Sequence, residues 1–172
     1  EEPPKAVTFF LLCENAQMLL PTVRSRCKTL RLTGFREEDI LKQLEVIFPN
    51  NEKNVSSARD SFGNIGTAIK IIEDEEFSLL NLLATDILSN PGLTYPRISF
   101  ILEKEKDNFL TLAGMLENKL FYRFQVTNDP NDLIKLKAVQ DALTAKSQNV
   151  NSGLIFDRLA YTLAKGGKTW HR

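Results

Sequence analysis

The sequence predicts a mainly α-helical protein with a short strand-bearing segment at its start. From residue 36 onward, apolar residues recur at helical spacing and are interrupted by Pro, Gly and Asn at intervals that suit helix ends. Before residue 36, the continuously apolar run at 7–12 is typical of a strand buried on both faces of a sheet, and residues 28–32 are a second candidate strand. Because two strands do not make such a sheet, we expect the rest of it to precede residue 1.

Each helix is predicted from its apolar spacing together with its end signals. Pro49 and Gly63 end the first two helices, and Asn64 caps the third. Pro96 and Pro130 suit first helical turns. The predicted helices are 36–48, 52–62, a segment from 65 to about 72, 77–88 ending at Asn90-Pro91-Gly92, a stretch from 96 to 124 broken near Asp107, 130 to about 145, and 154–164 capped by Asn151 or Ser152 and ended by Gly166-Gly167. This order predicts three short helices followed by a bundle of about five longer ones.

The large apolar residues of the second half are expected to build the core of this bundle, with some apolar surface left for packing against neighbours. The sequence does not indicate which faces are interfaces. The expected core residues are Leu79, Leu82, Leu83, Phe100, Leu102, Leu110, Leu116, Phe121, Phe124, Leu133, Leu136, Leu143, Leu154, Phe156 and Leu159.

Composition excludes several classes of protein. The 172 residues carry 22 Lys and Arg against 22 Asp and Glu, so the net charge gives no case for wrapping nucleic acid unaided. No apolar run approaches the roughly 20 residues that span a bilayer, and no basic segment precedes the run at 7–12. Cys13 and Cys27 are too few for a secreted disulfide scaffold, and we expect both to be reduced and buried. His171 is the single histidine, which excludes His-based triads and His-rich metal sites.

The tail Gly166-Gly167-Lys168-Thr169 superficially resembles the end of a phosphate-binding loop. The motif needs a glycine where this chain has Thr162, and it should follow a strand and open a helix. We therefore interpret the tail as a helix end. The acidic groups 74–76 and 103–107 are interpreted as solvated helix ends rather than catalytic pairs.

The segment Glu1 to Leu32 carries the most specific pattern. It runs Glu1-Glu2-Pro3-Pro4, an apolar strand, a short helix, Ser25-Arg26-Cys27 and a second strand. This order and spacing resemble the second half of the ATPase domain of bacterial DNA polymerase III clamp loader subunits, which belong to the AAA+ proteins. In that family an acidic-Pro-Pro stretch leads into the sensor 1 strand, and a helix ending in Ser-Arg-Cys carries an arginine finger. The resemblance is sharp in residues 1–32 and looser afterwards.

The resemblance implies three domains and a role for each. Residues 1–34 would be the C-terminal part of an AAA+ ATPase-like domain, 35–75 a helical lid, and 76–172 a helical collar that joins subunits. Arg26 would be an arginine finger acting in trans on ATP held by a neighbouring subunit, with Ser25 and Cys27 shaping its turn. The implied partners are the gamma/tau and delta subunits and, through the assembled complex, the sliding clamp and primed DNA in the cytoplasm. No cofactor and no catalysis are expected of this chain alone.

Two departures from the family pattern indicate a subunit that does not hydrolyse ATP. Alignment on the Ser-Arg-Cys motif puts Glu14 at the sensor 1 position, where hydrolysing subunits usually carry Thr. In the lid, Gly66 stands where they carry the sensor 2 Arg. A glycine has no side chain to contact phosphate, and a carboxylate near the γ-phosphate would repel it.

Two alternative functions remain open at this stage. One is an ATP-hydrolysing gamma/tau-type subunit with degenerate sensors, which an intact phosphate-binding loop upstream would favour. The other is an unrelated helical adaptor in which the Ser-Arg-Cys match is accidental. Packing of Phe9 and Phe10 inside an all-helical core would favour the adaptor.

Overall fold

The computed structural model describes residues 7–13, 16 and 19–165. Backbone contacts divide the chain into two units, Glu1–Thr33 and Gly34–Arg172. The described residues are mainly α-helical, as the sequence predicts. The helices are α1 (Pro21–Arg24), α2 (Glu37–Ile47), α3 (Asn54–Asp60), α4 (Ile65–Glu73), α5 (Glu75–Ser89), α6 (Tyr95–Lys104), α7 (Phe109–Thr127), α8 (Pro130–Ser147) and α9 (Ser152–Lys165).

The described part of the first unit has one short α-helix, α1, and two segments, 7–13 and 28–33, without regular secondary structure. The strand predictions were wrong for this structure: residues 7–13 and 28–32 form neither strand nor helix, and Phe10, Leu12 and Leu30 are 86%, 92% and 83% exposed. A strand needs a neighbouring backbone to hydrogen-bond with, and within the described part of the chain neither segment pairs in a ladder. Their apolar side chains consequently lie in solvent.

Helices α2, α3 and α4 form a three-helix segment, residues 37–73, with its own small core. Ile40 and Leu44 of α2 pack against Ala58 of α3 and Ala68 of α4. Asn64 caps α4 as predicted, because its side chain accepts a hydrogen bond from the Thr67 amide at 3.2 Å.

The predicted second helix ends earlier than its apolar pattern suggests. Helix α3 covers Asn54–Asp60 rather than 52–62, since Phe62 and Gly63 both have positive φ, at 49° and 87°. A glycine is required at 63 because a Cβ there would lie 3.0 Å from the Gly34 Cα and 3.1 Å from the Phe35 carbonyl oxygen. This close crossing places the start of the second unit against the loop between α3 and α4.

Helices α5 to α9 form the predicted five-helix bundle. Helix α7 packs against α5 and α8, while α9 packs against α6 and α8. The rings of Phe109 and Phe156 meet at the centre, with their centroids 4.9 Å apart. The other fully buried large residues of the bundle are Ile98, Leu102, Leu112, Leu116, Leu120, Val139 and Leu159.

Most of the predicted helix ends in the bundle are confirmed. Helix α6 ends at Lys104 and α7 begins at Phe109, which brackets the predicted break near Asp107. Asp129 caps α8 by accepting from the Asn131 amide at 2.9 Å. Asn151 accepts from the Gly153 amide at 2.9 Å, so the cap of α9 is Asn151 rather than Ser152. Gly166-Gly167, which were predicted to end α9, lie outside the described residues.

The predicted core is only partly correct. Leu102, Leu116, Leu136, Phe156 and Leu159 are buried, and Leu83, Phe124 and Leu143 are half-buried. The remaining seven are about half or more exposed: Leu79, Leu82, Phe100, Leu110, Phe121, Leu133 and Leu154. Small side chains that were not predicted, those of Ala84, Ala113 and Ala160, are fully buried in the bundle core. Spacing alone does not reveal which alanines are buried.

Candidate functional site

The short helix α1 positions the Ser25-Arg26-Cys27 turn. Pro21 is the first residue of α1, where a backbone N–H would have no acceptor within the helix, so the proline costs no hydrogen bond. The helix ends at Arg24. The turn then continues by hydrogen bonds from the Ser25 amide to the Pro21 carbonyl at 2.9 Å and from the Arg26 amide to the Val23 carbonyl at 3.1 Å. The sequence prediction that a helix precedes Arg26 is thereby confirmed.

Ser25 secures this turn through its side chain as well. Its Oγ donates a hydrogen bond to the Thr22 carbonyl at 3.1 Å, and its backbone remains helical at φ −69° and ψ −21°. The Cys27 amide approaches the Arg24 carbonyl at 3.4 Å. The backbone is therefore hydrogen-bonded on both sides of Arg26, which fixes the position of its Cα atom.

The Arg26 side chain is exposed and unpaired. Within residues 7–13, 16 and 19–165, its guanidinium forms neither an ion pair nor a hydrogen bond. A guanidinium carries five N–H donors in a rigid fork that fits phosphate or carboxylate oxygens. All five are thus available to an anionic ligand or a partner chain.

A groove beside this turn brings both cysteines and several cations together. It is lined by residues of 11–13 and 27–32, by Ala16 and Leu19, and by Arg24 of α1. Cys13 and Cys27 are both free thiols and both exposed, so the expectation that they are buried was wrong. The irregular segments beside them provide no cover, which is why the thiols lie in solvent.

Arg31 is a residue that the sequence interpretation missed. It lines the same groove as Arg24 and Lys28, and no Asp or Glu occurs between Ala16 and Arg36. The overall neutral charge conceals this local excess of cations. The signal that identifies it is the spacing of the basic residues within an acid-free stretch, which gives a locally positive surface suited to an anion.

Of the two residues that depart from the family pattern, Glu14 and Gly66, the structure describes only Gly66. Glu14 lies outside the described residues. Gly66 lies in the first turn of α4, where an added Cβ would meet only the Asn64 Oδ1 atom at 3.3 Å. The tail at 166–169, Trp170 and His171 also fall outside the described residues.

The clearest pKa shifts lie away from Arg26. Desolvation, with a further contribution from Asp157, raises the pKa of Tyr95. Burial, followed by repulsion from Arg123, lowers the pKa of Lys135. On the surface, the hydrogen bond from Arg36 lowers the pKa of the Asp39 carboxyl. None of these groups forms an acid–base pair that suits catalysis.

Metal binding and membrane insertion find no support in the described structure. The described residues contain no group of three or more His, Cys, Asp or Glu side chains placed to hold a metal ion. Across the same ranges, every helix is too short or too polar to cross a bilayer.

The bundle carries a second surface of interest, a groove between α8 and α9. It is lined by the exposed apolar residues Ile134, Val150 and Leu154. The charged residues Asp141 and Arg158 also line it, with their nearest N and O atoms 4.0 Å apart. An apolar groove of this kind fits an apolar helix face better than it fits a charged ligand.

Comparison with known proteins assigns a class to the segment that bears Arg26. A family model described as "DNA polymerase III, delta subunit" matches residues 1–36, which include α1 and the whole Ser25-Arg26-Cys27 turn. The chain is therefore similar to DNA polymerase III clamp loader subunits.

A curated relative narrows this resemblance. The DNA polymerase III subunit delta' of Buchnera aphidicola subsp. Schizaphis graminum (strain Sg) is 31% identical over 119 residues, which are 69% of this chain and 33% of the relative. The chain thus spans about a third of the relative's length. Among solved structures, none matches the chain. The resemblance predicted from the sequence is confirmed, and the chain is delta'-like.

Proposed function

We propose that this chain is part of the non-hydrolysing, delta'-like subunit of a DNA polymerase III clamp loader and that Arg26 acts in trans on ATP held by a neighbouring subunit. The observation that carries this proposal is an exposed arginine on a hydrogen-bonded Ser-Arg-Cys turn, with no partner for its guanidinium among the described residues. The similarity to delta' and the match of the family model to residues 1–36 support it.

The chemistry of ATP hydrolysis explains why this residue must be an arginine. Negative charge spreads over the γ-phosphate oxygens as the phosphoryl group leaves, and a guanidinium at the subunit boundary stabilises it. Arginine remains charged at all physiological pH values and offers paired donors, which lysine does not. Such fingers contribute about 10³–10⁵ in turnover in other phosphoryl-transfer systems.

The absence of hydrolysis by this subunit is supported by its departures from the hydrolysing pattern. Gly66 supplies no side chain where hydrolysing relatives carry a sensor arginine, and Glu14 replaces a polar threonine. The proposal therefore holds that ATP is bound and hydrolysed in the neighbouring subunits. The chain itself contributes the finger and no bound cofactor.

The domain assignment follows the same proposal. Residues 1–34 would complete an ATPase-like domain, 35–75 would be the lid, and 76–172 would be the collar that assembles with the gamma/tau and delta subunits. The exposed apolar side chains of the bundle support an assembly role, because a bundle that acted alone would have little reason to expose Phe100 and Leu154. Sliding clamp and primed DNA would be met through the assembled complex in the cytoplasm.

The observation that would have favoured the rival adaptor function is not made in this structure. Phe9 and Phe10 are 70% and 86% exposed and are not packed inside a helical core. That packing is the observation that would have favoured an adaptor unrelated to replication.

The proposal is tested by reconstituting the loader with the full-length subunit carrying Arg26→Ala. We expect a large loss of ATPase activity stimulated by clamp and DNA, while light scattering shows an intact complex. The matched control is Arg59→Ala, which removes an exposed arginine from the last turn of α3, outside the groove that contains Arg24, and should leave turnover near that of wild type. Equal turnover in wild type and Arg26→Ala complexes would contradict the proposal.

A further inference from the structure

The second unit contains two separate cores joined by a one-residue connection. The three-helix segment packs around Ile40 and Leu44, whereas the bundle packs around a distinct cluster that includes Phe109 and Phe156. Asp74 is at once the C-cap of α4 and the N-cap of α5, with an extended backbone at φ −103° and ψ 106°. A single extended residue between two helices is a natural hinge, and it does not fix their angle by itself.

A second bridge spans the two cores away from this hinge. Asp60, at the end of α3, accepts hydrogen bonds on one carboxylate oxygen from Asn81 Nδ2 of α5 at 2.7 Å and from Lys119 Nζ of α7 at 3.1 Å. The Lys119 side chain is only 9% exposed and that of Asp60 is 26% exposed. A lysine ammonium so far from water is stable only beside an anionic partner. The three-helix segment supplies that partner.

Aromatic contacts reinforce the same bridge. The Phe62 ring lies beneath the Lys119 ammonium, 5.7 Å from it, and packs on Tyr122 of α7 with the ring centroids 5.4 Å apart. Phe62 holds a left-handed backbone at φ 49°, which is costly for a residue with a Cβ. The loop between α3 and α4 is therefore strained at Phe62, and in this conformation Asp60 and Phe62 both contact α7. We name Asp60, Phe62, Asn81, Lys119 and Tyr122 the latch.

We infer that the latch fixes the angle of the three-helix segment against the bundle and that Lys119 is the positioning residue on which it depends. Helices α4 and α5, which the hinge joins, also contact each other. Asp60 and Phe62 lie just before α4, whereas the hinge lies at its end, so the latch is a separate attachment of the three-helix segment to the bundle. When it is broken, both cores stay folded and the three-helix segment rotates about Asp74.

Spin-label distance measurements test this inference in the intact protein. Labels are attached at Glu45→Cys on α2 and Arg158→Cys on α9, both exposed, after Cys13→Ser and Cys27→Ser. We expect one narrow distance distribution in the parent protein. In Lys119→Met and in Asp60→Ala, we expect its width to increase about twofold or the distribution to split.

The controls separate loss of the latch from loss of the fold. Lys104→Met removes an exposed lysine from the end of α6 and should leave the distribution narrow. Far-UV circular dichroism verifies that the helices persist, and Asp60→Ala keeps the test decisive if Lys119→Met unfolds, because it alters no residue of the bundle. An unchanged narrow distribution in a folded latch variant would overturn the inference, as would a parent distribution as broad as that of the variants.

Discussion

Arg26 and Lys119 differ in what surrounds their charged groups. The Arg26 backbone is held by the α1 turn, and its guanidinium has no partner among the described residues. Lys119 is the opposite case, since its side chain is buried and its ammonium contacts Asp60 and the Phe62 ring. The first arrangement suits a group that acts on another molecule, and the second suits a group that holds its own molecule together.

Lys135 gives a prediction about the pH dependence of stability. Burial, and then repulsion from Arg123, lowers its pKa in the folded protein, so the unfolded chain binds this proton more tightly. The charged form therefore destabilises the fold at neutral pH, and stability recovers as pH rises above the folded pKa towards the unfolded value. We expect Lys135→Met to raise the free energy of unfolding at neutral pH by about 0.5 kcal/mol or less.

Urea unfolding at neutral and alkaline pH measures this effect. The gain should shrink at alkaline pH, where the wild-type lysine has lost its proton in the folded state. Lys137→Met, at an exposed position of the same helix, should show neither change. A lower stability of Lys135→Met at neutral pH would refute this account of the residue.

At the scale of elements, two glycines of the second unit are expected to respond oppositely to alanine. Gly63 has φ 87° and lies against Gly34, so Gly63→Ala should lower the free energy of unfolding by more than about 1 kcal/mol. Gly114 lies inside α7 with nothing within 4 Å of an added Cβ, so Gly114→Ala should raise it by about 0.5–1 kcal/mol. Thermal unfolding of the two variants beside wild type measures both, and a loss of stability in Gly114→Ala would show that the space there is not free.

The helices were largely predictable because their end signals are local. Asn64, Asp129 and Pro130 act within a few residues of the backbone groups they satisfy, so their effect is visible in the sequence. The predictions of strands at 7–12 and 28–32 were wrong, because a strand needs a second strand to hydrogen-bond with, and the local sequence does not reveal whether one is present. Helix α3 ended early for a similar reason, since the crossing of Gly34 and Gly63 joins residues far apart in sequence.

In the whole molecule, the bundle leaves several large apolar side chains exposed. Leu79, Phe100 and Leu154 recur at helical spacing with other apolar residues, which predicts that they are buried. Each is nevertheless exposed, because the neighbouring helices do not cover the whole apolar side of its helix. The candidate functional site, like the core of the bundle, could be predicted only in part. The Ser25-Arg26-Cys27 turn is contiguous in sequence, whereas the groove formed with Arg31 and the latch at Lys119 depends on contacts between separate segments.

This surface gives a prediction for assembly. Leu154 is 69% exposed and lines the groove between α8 and α9, so Leu154→Ser should leave stability within about 0.5 kcal/mol of wild type. If the groove receives an apolar face of a neighbouring loader subunit, the same change should weaken assembly by about tenfold. Leu110→Ser, at an exposed position of α7 outside this groove, is the matched control and should assemble normally. Sedimentation analysis of the mixed subunits measures both, and normal assembly of Leu154→Ser would exclude the groove as an interface.

The most direct test of the central claim separates nucleotide binding from hydrolysis in the assembled loader. Single-turnover hydrolysis and equilibrium ATP binding are measured on complexes containing wild-type or Arg26→Ala full-length subunit. A trans-acting finger predicts that ATP binding is retained while hydrolysis at the facing site falls by about 10³-fold or more. Hydrolysis at the wild-type rate at every site, in a complex that binds ATP normally, would contradict the claim and leave Arg26 a surface cation at the end of α1.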